Sequence, residues 1–268
     1  MKIDVENIIR SKTSSYVSKF FISFLKKIVH QNEINAIMEQ NSDKNGVDFG
    51  CAVLNYFNIS TLAAGLENIP KNEKLIFVSN HPLGALEALA IAKHLGNVFN
   101  NDINFITNEL LAYLTPLKNI FTSVNVAAGK QNRENISLID ELFLSDKQII
   151  IFPSGQVSRK KSGKIADSEW KKMFVAKARQ YQRNVVPIFC SGRNSNFFYN
   201  LANLRKFLGI KFNIELLFLP NEMFKNKNSK ISITIGKPIS YKDFFNQKND
   251  FEYAQQIRKE VYKLCIPY

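Results

Sequence analysis

No run in this 268-residue chain approaches the ~20 consecutive apolar residues needed to cross a bilayer. The chain also lacks any Cys-x-x-Cys pair or Cys/His cluster. Its three cysteines, Cys51, Cys190 and Cys265, lie far apart. That excludes a zinc site or a disulfide framework as the organising feature and points to a reduced compartment. Cys190 ends an apolar strand-like run and reads as an inert core thiol rather than a nucleophile. Histidine is scarce, with only His30, His81 and His94. Met1-Lys2 is followed by Asp4 and Glu6 with no apolar segment behind them, so no secretory leader is expected. Acid is outweighed by base, 23 residues against 36, leaving a formal net charge of +13. Such a balance favours anionic partners: nucleic acid, acidic lipid, phosphorylated metabolites or an acidic carrier protein. Its bland alternative is a lysine-rich surface that is merely solvated. Nucleic-acid binding would rest on charge alone, since no helix-turn-helix, zinc or RNA-recognition signature accompanies it.

What is present is ordinary globular material, 45% hydrophobic and 22% charged. Its length suits one large α/β domain with helical additions. Residues 8–29 predict an amphipathic helix. Tyr16, Val17, Phe20, Phe21, Phe24, Leu25 and Ile28 share a broad face, opposed by Lys12, Lys19 and Lys26. Such a helix suits a membrane interface, or else packs on the protein's own core. Helices are expected at 33–40 and 47–57, and 59–65 is strand-like. From Leu75 onward strands and helices alternate: strand 75–79, helix 85–95, strand 103–107, helix 109–114, strand 120–126, helix 134–144, strand 148–152, helix 168–182, strand 185–190. That alternation predicts βαβ units and a mostly parallel central sheet flanked by helices. Residues 197–219 read as helical or mixed, 221–230 as a lysine-rich loop, 231–236 as a late strand, and the tail as a helix. The expected division is an N-terminal helical, membrane-associating region, 1–65, and an α/β domain with a C-terminal helix, 66–268.

The chemistry concentrates where these strands end. Asn80-His81-Pro82-Leu83-Gly84-Ala85-Leu86-Glu87 sits at a strand-to-helix turn, the place where open α/β sheets bind ligands. A carboxylate in the helix's first turn can fold back to the imidazole. A neutral imidazole is a general base, and a carboxylate on its other nitrogen fixes the tautomer and stabilises the imidazolium. His81 is therefore the candidate base and Glu87 its orienter. Three further segments fall at strand ends: Asn125–Arg133 with Gly129, Lys130 and Arg133; Phe152-Pro153-Ser154-Gly155-Gln156-Val157-Ser158-Arg159; and Val185-Val186-Pro187-Ile188 leading into Ser191-Gly192-Arg193-Asn194-Ser195. In a parallel sheet all four line one rim. Backbone N–H groups near Gly84 or Gly155 are candidates for an oxyanion site.

In this order and spacing, Asn80-His81…Glu87, Gly129…Arg133, Phe152-Pro153-Ser154-Gly155 and Val185-Val186-Pro187 resemble the motifs of the lysophosphatidic-acid-type glycerophospholipid acyltransferase superfamily, over about Leu66–Ile239. The family's usual carboxylate is an Asp with four residues between it and the His; here it is Glu87 with five. Ser154 stands for the usual Glu and Val157 for the usual Arg, and Arg159 is the candidate replacement cation. Pro82-Leu83-Gly84 and the Val157-Ser158-Arg159 run are similar to a bacterial hemolysin-like branch that includes enzymes acylating lyso-amino-acid lipids.

The resemblance implies an O-acyltransferase of membrane lipid synthesis. It would move a fatty acyl group from coenzyme A or acyl carrier protein to a lysolipid hydroxyl. His81 and Glu87 would be catalytic. Asn80, Gly84, Lys130, Arg133, Ser154, Gly155, Arg159, Arg193, Asn194 and Ser195 would contact substrate. It implies no metal and no bound cofactor, the acyl thioester being a co-substrate. The implied partners are an anionic membrane surface, the thioester carrier and the lysolipid, and the implied location is peripheral, at the cytoplasmic face of the inner membrane. The alternative is a non-catalytic lipid-binding or membrane-perturbing protein on the same fold, motivated by Glu87 and Ser154.

Overall fold

The computed structural model describes residues 2–12, 16–108, 113–124, 133–245 and 249–265. Four helices come first: α1 (Val5–Lys12), α2 (Lys19–Ile28), α3 (Gln31–Gln40) and α4 (Gly46–Tyr56). Then follow β1 (Ser60–Ala64), β2 (Leu75–Ser79), α5 (Leu86–Val98), β3 (Ile103–Asn108), β4 (Phe121–Val124), α6 (Arg133–Leu144) and β5 (Gln148–Ile151). A short hairpin, β6 (Arg159–Lys161) and β7 (Lys164–Ala166), precedes α7 (Met173–Gln180) and β8 (Asn184–Cys190). The chain ends with α8 (Asn196–Phe207), α9 (Leu219–Lys225), β9 (Lys230–Ile235) and α10 (Asp250–Lys263).

The seven strands β1-β9-β8-β2-β5-β3-β4 form the central sheet. Only the β8–β9 pairing is antiparallel. The five strands from β8 to β4 therefore point the same way, and their C-terminal ends share an edge. β2 lies between β8 and β5, which makes the turns after these three strands neighbours. Leu75-Ile76-Phe77-Val78 is apolar throughout because both faces are covered. Leu75 and Phe77 pack with α4 and α5, whereas Ile76 and Val78 pack with α7 and α10.

The expected mostly parallel α/β architecture is the one found. Several element boundaries differ. The single helix expected over 8–29 is two helices, with residues 13–15 outside the described set. α2 also turns a different face inward: Ile22 and Leu25 are buried, while Phe20, Phe21 and Phe24 are exposed. Part of the helix expected at 109–114 lies outside the described residues. α7 begins at Met173 rather than Ser168, because the preceding amides are engaged in tertiary bonds. The Trp170 N–H donates to Gln255 Oε1 (3.2 Å) and the Lys171 N–H to the Pro153 carbonyl (2.9 Å). Half of the lysine-rich loop 221–230 belongs to α9. β1, which the division at residue 65 leaves with the N-terminal helices, pairs along its length with β9.

Candidate active site

His81 comes two residues after the end of β2, at the edge where β2, β5 and β8 end. Nδ1 lies 2.8 Å from Glu87 Oε1. That same oxygen accepts the backbone N–H groups of Leu83 (3.0 Å) and Gly84 (2.9 Å). The loop can fold this tightly because Gly84 adopts φ +97°, a conformation side chains rarely take. A Cβ there would also press on Leu219 and Val157. Glu87 occupies the first turn of α5, where carboxylates are favoured. The sixth-residue spacing and the longer Glu side chain together bring the carboxylate back to the ring.

Glu87 is fully buried, whereas the His81 side chain is 16% exposed. Burial pushes the Glu87 carboxyl up, but the His81 charge and the three hydrogen bonds outweigh it, so the group is held below the ordinary carboxylate range. The ring of Phe152, at the end of β5, stacks on the imidazole with centroids 4.2 Å apart. Among the described residues none hydrogen-bonds Nε2. One ring nitrogen is thus fixed by an anion, and the other is available to take a proton from a bound hydroxyl.

The histidine backbone is held as firmly as its ring. Its N–H donates to Asp167 Oδ1 (3.2 Å), and its carbonyl accepts from the Ser158 N–H (2.7 Å). Ser158 belongs to the segment after β5 singled out in the sequence, whereas Asp167 lies outside every such segment. The separation of 86 residues between Asp167 and His81 leaves no local sequence signal.

Many of the residues expected to touch substrate have other engagements. The Asn80 amide bonds both backbone groups of Cys190, tying β2 to β8 (2.9 and 2.7 Å). The Ser154 hydroxyl donates to the Gln156 carbonyl (2.7 Å) within the turn after β5. Arg159, the expected replacement cation, is buried. Its guanidinium pairs with Glu215 (2.9 Å) and donates to the Val157 carbonyl (2.6 Å), over the ring of Phe198. Burial lowers its pKa from the ordinary arginine value, with the Glu215 charge opposing. Arg205 approaches the other oxygen of Glu215 at 2.9 Å. Asn194 is buried, its amide reaching the Pro82 carbonyl (3.3 Å). Ser195 caps α8 and its hydroxyl donates to Glu222 (2.8 Å). The Gly84 N–H is taken by Glu87, and the Gly155 N–H donates to the Phe152 carbonyl (3.0 Å). Neither amide is thus free for an oxyanion. At these positions the polar groups are engaged with other groups of the protein.

Arg193 is different. It is exposed, and among the described residues it hydrogen-bonds its local neighbours Asn194 and Asn196. The preceding Gly192 abuts Leu83 of the histidine loop, so Arg193 lies beside that loop. Lys171, which sequence reasoning did not single out, lies over Gly155 with its ammonium exposed. Lys130 lies outside the described residues, and Arg133 is described only as the start of α6.

The other two histidines and Cys190 are engaged elsewhere. His30 stacks on Phe224, and His94 on α5 bonds Thr61. Burial pushes the Cys190 thiol far up, as an inert core thiol requires. Among the described residues no cluster of His, Cys, Asp or Glu fits a metal ion, and no helix is long and apolar enough to cross a membrane.

A sequence profile described as acyltransferase matches residues 8–266. A protein of Bacteroides thetaiotaomicron named lyso-glycine lipid O-acyltransferase is 43% identical over 265 residues, 98% of this chain and 97% of its own. A protein of the same name from Phocaeicola vulgatus is also 43% identical over 265 residues, covering 98% and 95%. The crystal structure of a 1-acyl-sn-glycerophosphate (LPA) acyltransferase from Thermotoga maritima aligns with a TM-score of 0.47 and 20% identity, covering 91% of this chain and 92% of its own.

Proposed function

The chain belongs to the acyltransferase family, and on that premise we propose that it acylates the hydroxyl of a lyso-amino-acid lipid, with His81 as the base. The observation that carries the reading is the 2.8 Å contact between His81 Nδ1 and buried Glu87 at the sheet edge. In the reaction, Nε2 removes the acceptor's hydroxyl proton as its oxygen attacks the thioester carbonyl. Glu87 stabilises the imidazolium so formed. Collapse of the tetrahedral intermediate breaks the C–S bond, and the imidazolium returns its proton to the departing thiolate. The products are the diacyl lipid and the free thiol.

The name shared by the two curated relatives supports a glycine headgroup on the acceptor. That headgroup ends in a carboxylate, and exposed Arg193 is the cation beside the histidine loop that suits it. The donor is an acyl thioester of coenzyme A or acyl carrier protein, both anionic, in keeping with the +13 charge. The enzyme works on a membrane surface, at the cytoplasmic face. α2 presents Phe20 (85% exposed), Phe21 and Phe24 outward, after Tyr16 (89% exposed). α2 packs against the turn Ile214–Phe218, which follows a second apolar stretch, Phe207 (86% exposed), Leu208, Ile210 and Phe212, with Lys206 and Lys211 among them. Aromatic residues interleaved with lysines suit an anionic interface.

The test follows free thiol as purified protein, acyl thioester and lyso-glycine lipid are mixed. Turnover that vanishes in a folded His81→Ala variant is expected. A variant with near-normal turnover removes His81 from the chemistry. No thiol release with either thioester across a panel of lysolipid acceptors, lysophosphatidic acid included, would favour the non-catalytic lipid binder.

A further inference from the structure

Glu87 holds the imidazole of His81 but does not hold the residue that carries it. Asn80 and Pro82 tie the turn Asn80–Gly84 to Cys190 and Asn194, but His81 lies between them, and the base must stay within a fraction of an ångström to work. The other side of that turn meets a carboxylate to which neither the reaction nor the sequence motifs give a role. Asp167 follows β7 directly and is buried. Its Oδ1 accepts the His81 backbone N–H (3.2 Å) and the Ser158 hydroxyl (2.6 Å). Its Oδ2 accepts the indole N–H of Trp170 (2.9 Å). The Ser158 N–H returns to the His81 carbonyl at 2.7 Å, closing a ring of bonds around the peptide of the base.

Asp167 is itself anchored. Its N–H donates to the Tyr262 hydroxyl (2.7 Å), and Arg258 donates to its carbonyl. Both partners are on α10. The last helix of the chain thus reaches the catalytic turn through one residue. Three donors converge on the two oxygens of a single buried carboxylate, an arrangement an amide cannot reproduce, because one donor would face an N–H₂ group. Burial pushes the Asp167 carboxyl above its ordinary range, and the donors from Ser158, Trp170 and His81 oppose that rise.

We propose that Asp167 is a positioning residue for acyl transfer, clamping the His81 backbone so that the imidazole keeps its line between Glu87 and the acceptor hydroxyl. The proposal rests on the reading of His81 as the base. Ser158 is the second arm of the clamp. Trp170 braces the far oxygen and touches nothing of His81 through it.

The experiment compares Asp167→Asn, Ser158→Ala and Phe174→Leu in the full chain. It reads kcat and KM by thiol release, Tm by circular dichroism, and the His81 Nδ1–H resonance by proton NMR on protein with ¹⁵N-labelled histidine. For Asp167→Asn we expect kcat to fall about 10- to 100-fold, KM for the thioester to stay within about 3-fold, and the Nδ1–H resonance to shift or vanish. Phe174→Leu, a change in the buried α7 core with no bond to Asp167, should lower Tm yet leave kcat within about 3-fold. Asp167→Asn with wild-type kcat overturns the proposal. So does a Phe174→Leu loss of kcat as large as that of Asp167→Asn, because general loosening would then explain both. Should Asp167→Asn fail to fold, Ser158→Ala decides: a lower kcat with a shifted resonance supports the clamp, and no change in either sinks it. If wild-type protein releases no thiol, the acyl-transfer reading fails on its own. The resonance still reports whether Asp167 positions the ring.

Discussion

Replacing Glu87 by Gln removes a charge while keeping shape, so it isolates what the carboxylate contributes. Oε1 of Gln still accepts from Leu83, Gly84 and the ring N–H, as Glu87 Oε1 does at 2.8–3.0 Å. Two things change. The imidazolium formed on proton abstraction loses its counter-charge in a dry site, and a new N–H₂ group takes the place of Oε2, which is buried and has no hydrogen-bond partner among the described residues. The second change costs about 1–3 kcal/mol of stability. The first falls on the barrier. Orienting carboxylates in comparable dyads are worth up to about 10⁴ in kcat, and we expect a loss of about 10²–10⁴, or roughly 2.7–5.4 kcal/mol, with KM little altered. Glu87→Asp separates reach from charge. Its carboxylate retracts by about 1.5 Å, stretching the contact to roughly 4 Å, beyond hydrogen bonding. It should therefore be about as impaired as Glu87→Gln. The assay is single-turnover thiol release under saturating thioester, with circular dichroism to confirm the fold. A Glu87→Gln enzyme within about 3-fold of wild-type kcat would refute the assignment of Glu87 as orienter.

Other outcomes follow from the same coordinates. Because the Glu87 carboxyl is held below its ordinary range, its contribution to stability is present above the unfolded glutamate pKa of about 4.3 and is lost as pH falls through the folded value. Thermal unfolding between neutral and strongly acid pH should show a shallower acid decline in Glu87→Gln, and parallel curves would contradict this. Glu215→Gln leaves Arg159 and Arg205 buried without their shared counter-charge and should cost about 3–5 kcal/mol in urea unfolding; a cost near zero would mean water reaches the pair. Phe20→Ser together with Phe207→Ser should weaken sedimentation with anionic vesicles while sparing thiol release from soluble short-chain substrates. Equal vesicle binding would move the membrane contact elsewhere. Thiol reagents should modify exposed Cys265 readily and leave Cys190 untouched in folded protein.

The fold class and the centre of the site could be read from the chain because both are local. Strand β2 is an unbroken apolar run that both faces of a covered sheet demand, and His81 and Glu87 stand six positions apart across a single turn. The roles of the polar residues around them were not readable. Arg159 reads as an anion-binding cation in the sequence, whereas in the structure it is buried and pairs with Glu215, 56 residues on. Asn80 joins two strand ends and Ser195 caps a helix against Glu222, each through a partner distant in sequence. Asp167 has no neighbour in sequence that marks it, and its partners come from β2, the loop after β5 and α10. The face of α2 was likewise ambiguous, since apolar residues surround the helix and only packing chose Ile22 and Leu25 over the phenylalanines. Periodicity and turn chemistry act over a few residues, so most strands and helices and the pairing of His81 with Glu87 were legible in the chain alone. Whether a charge meets solvent or a buried partner depends on which distant segment folds against it, and that is written only in the packing.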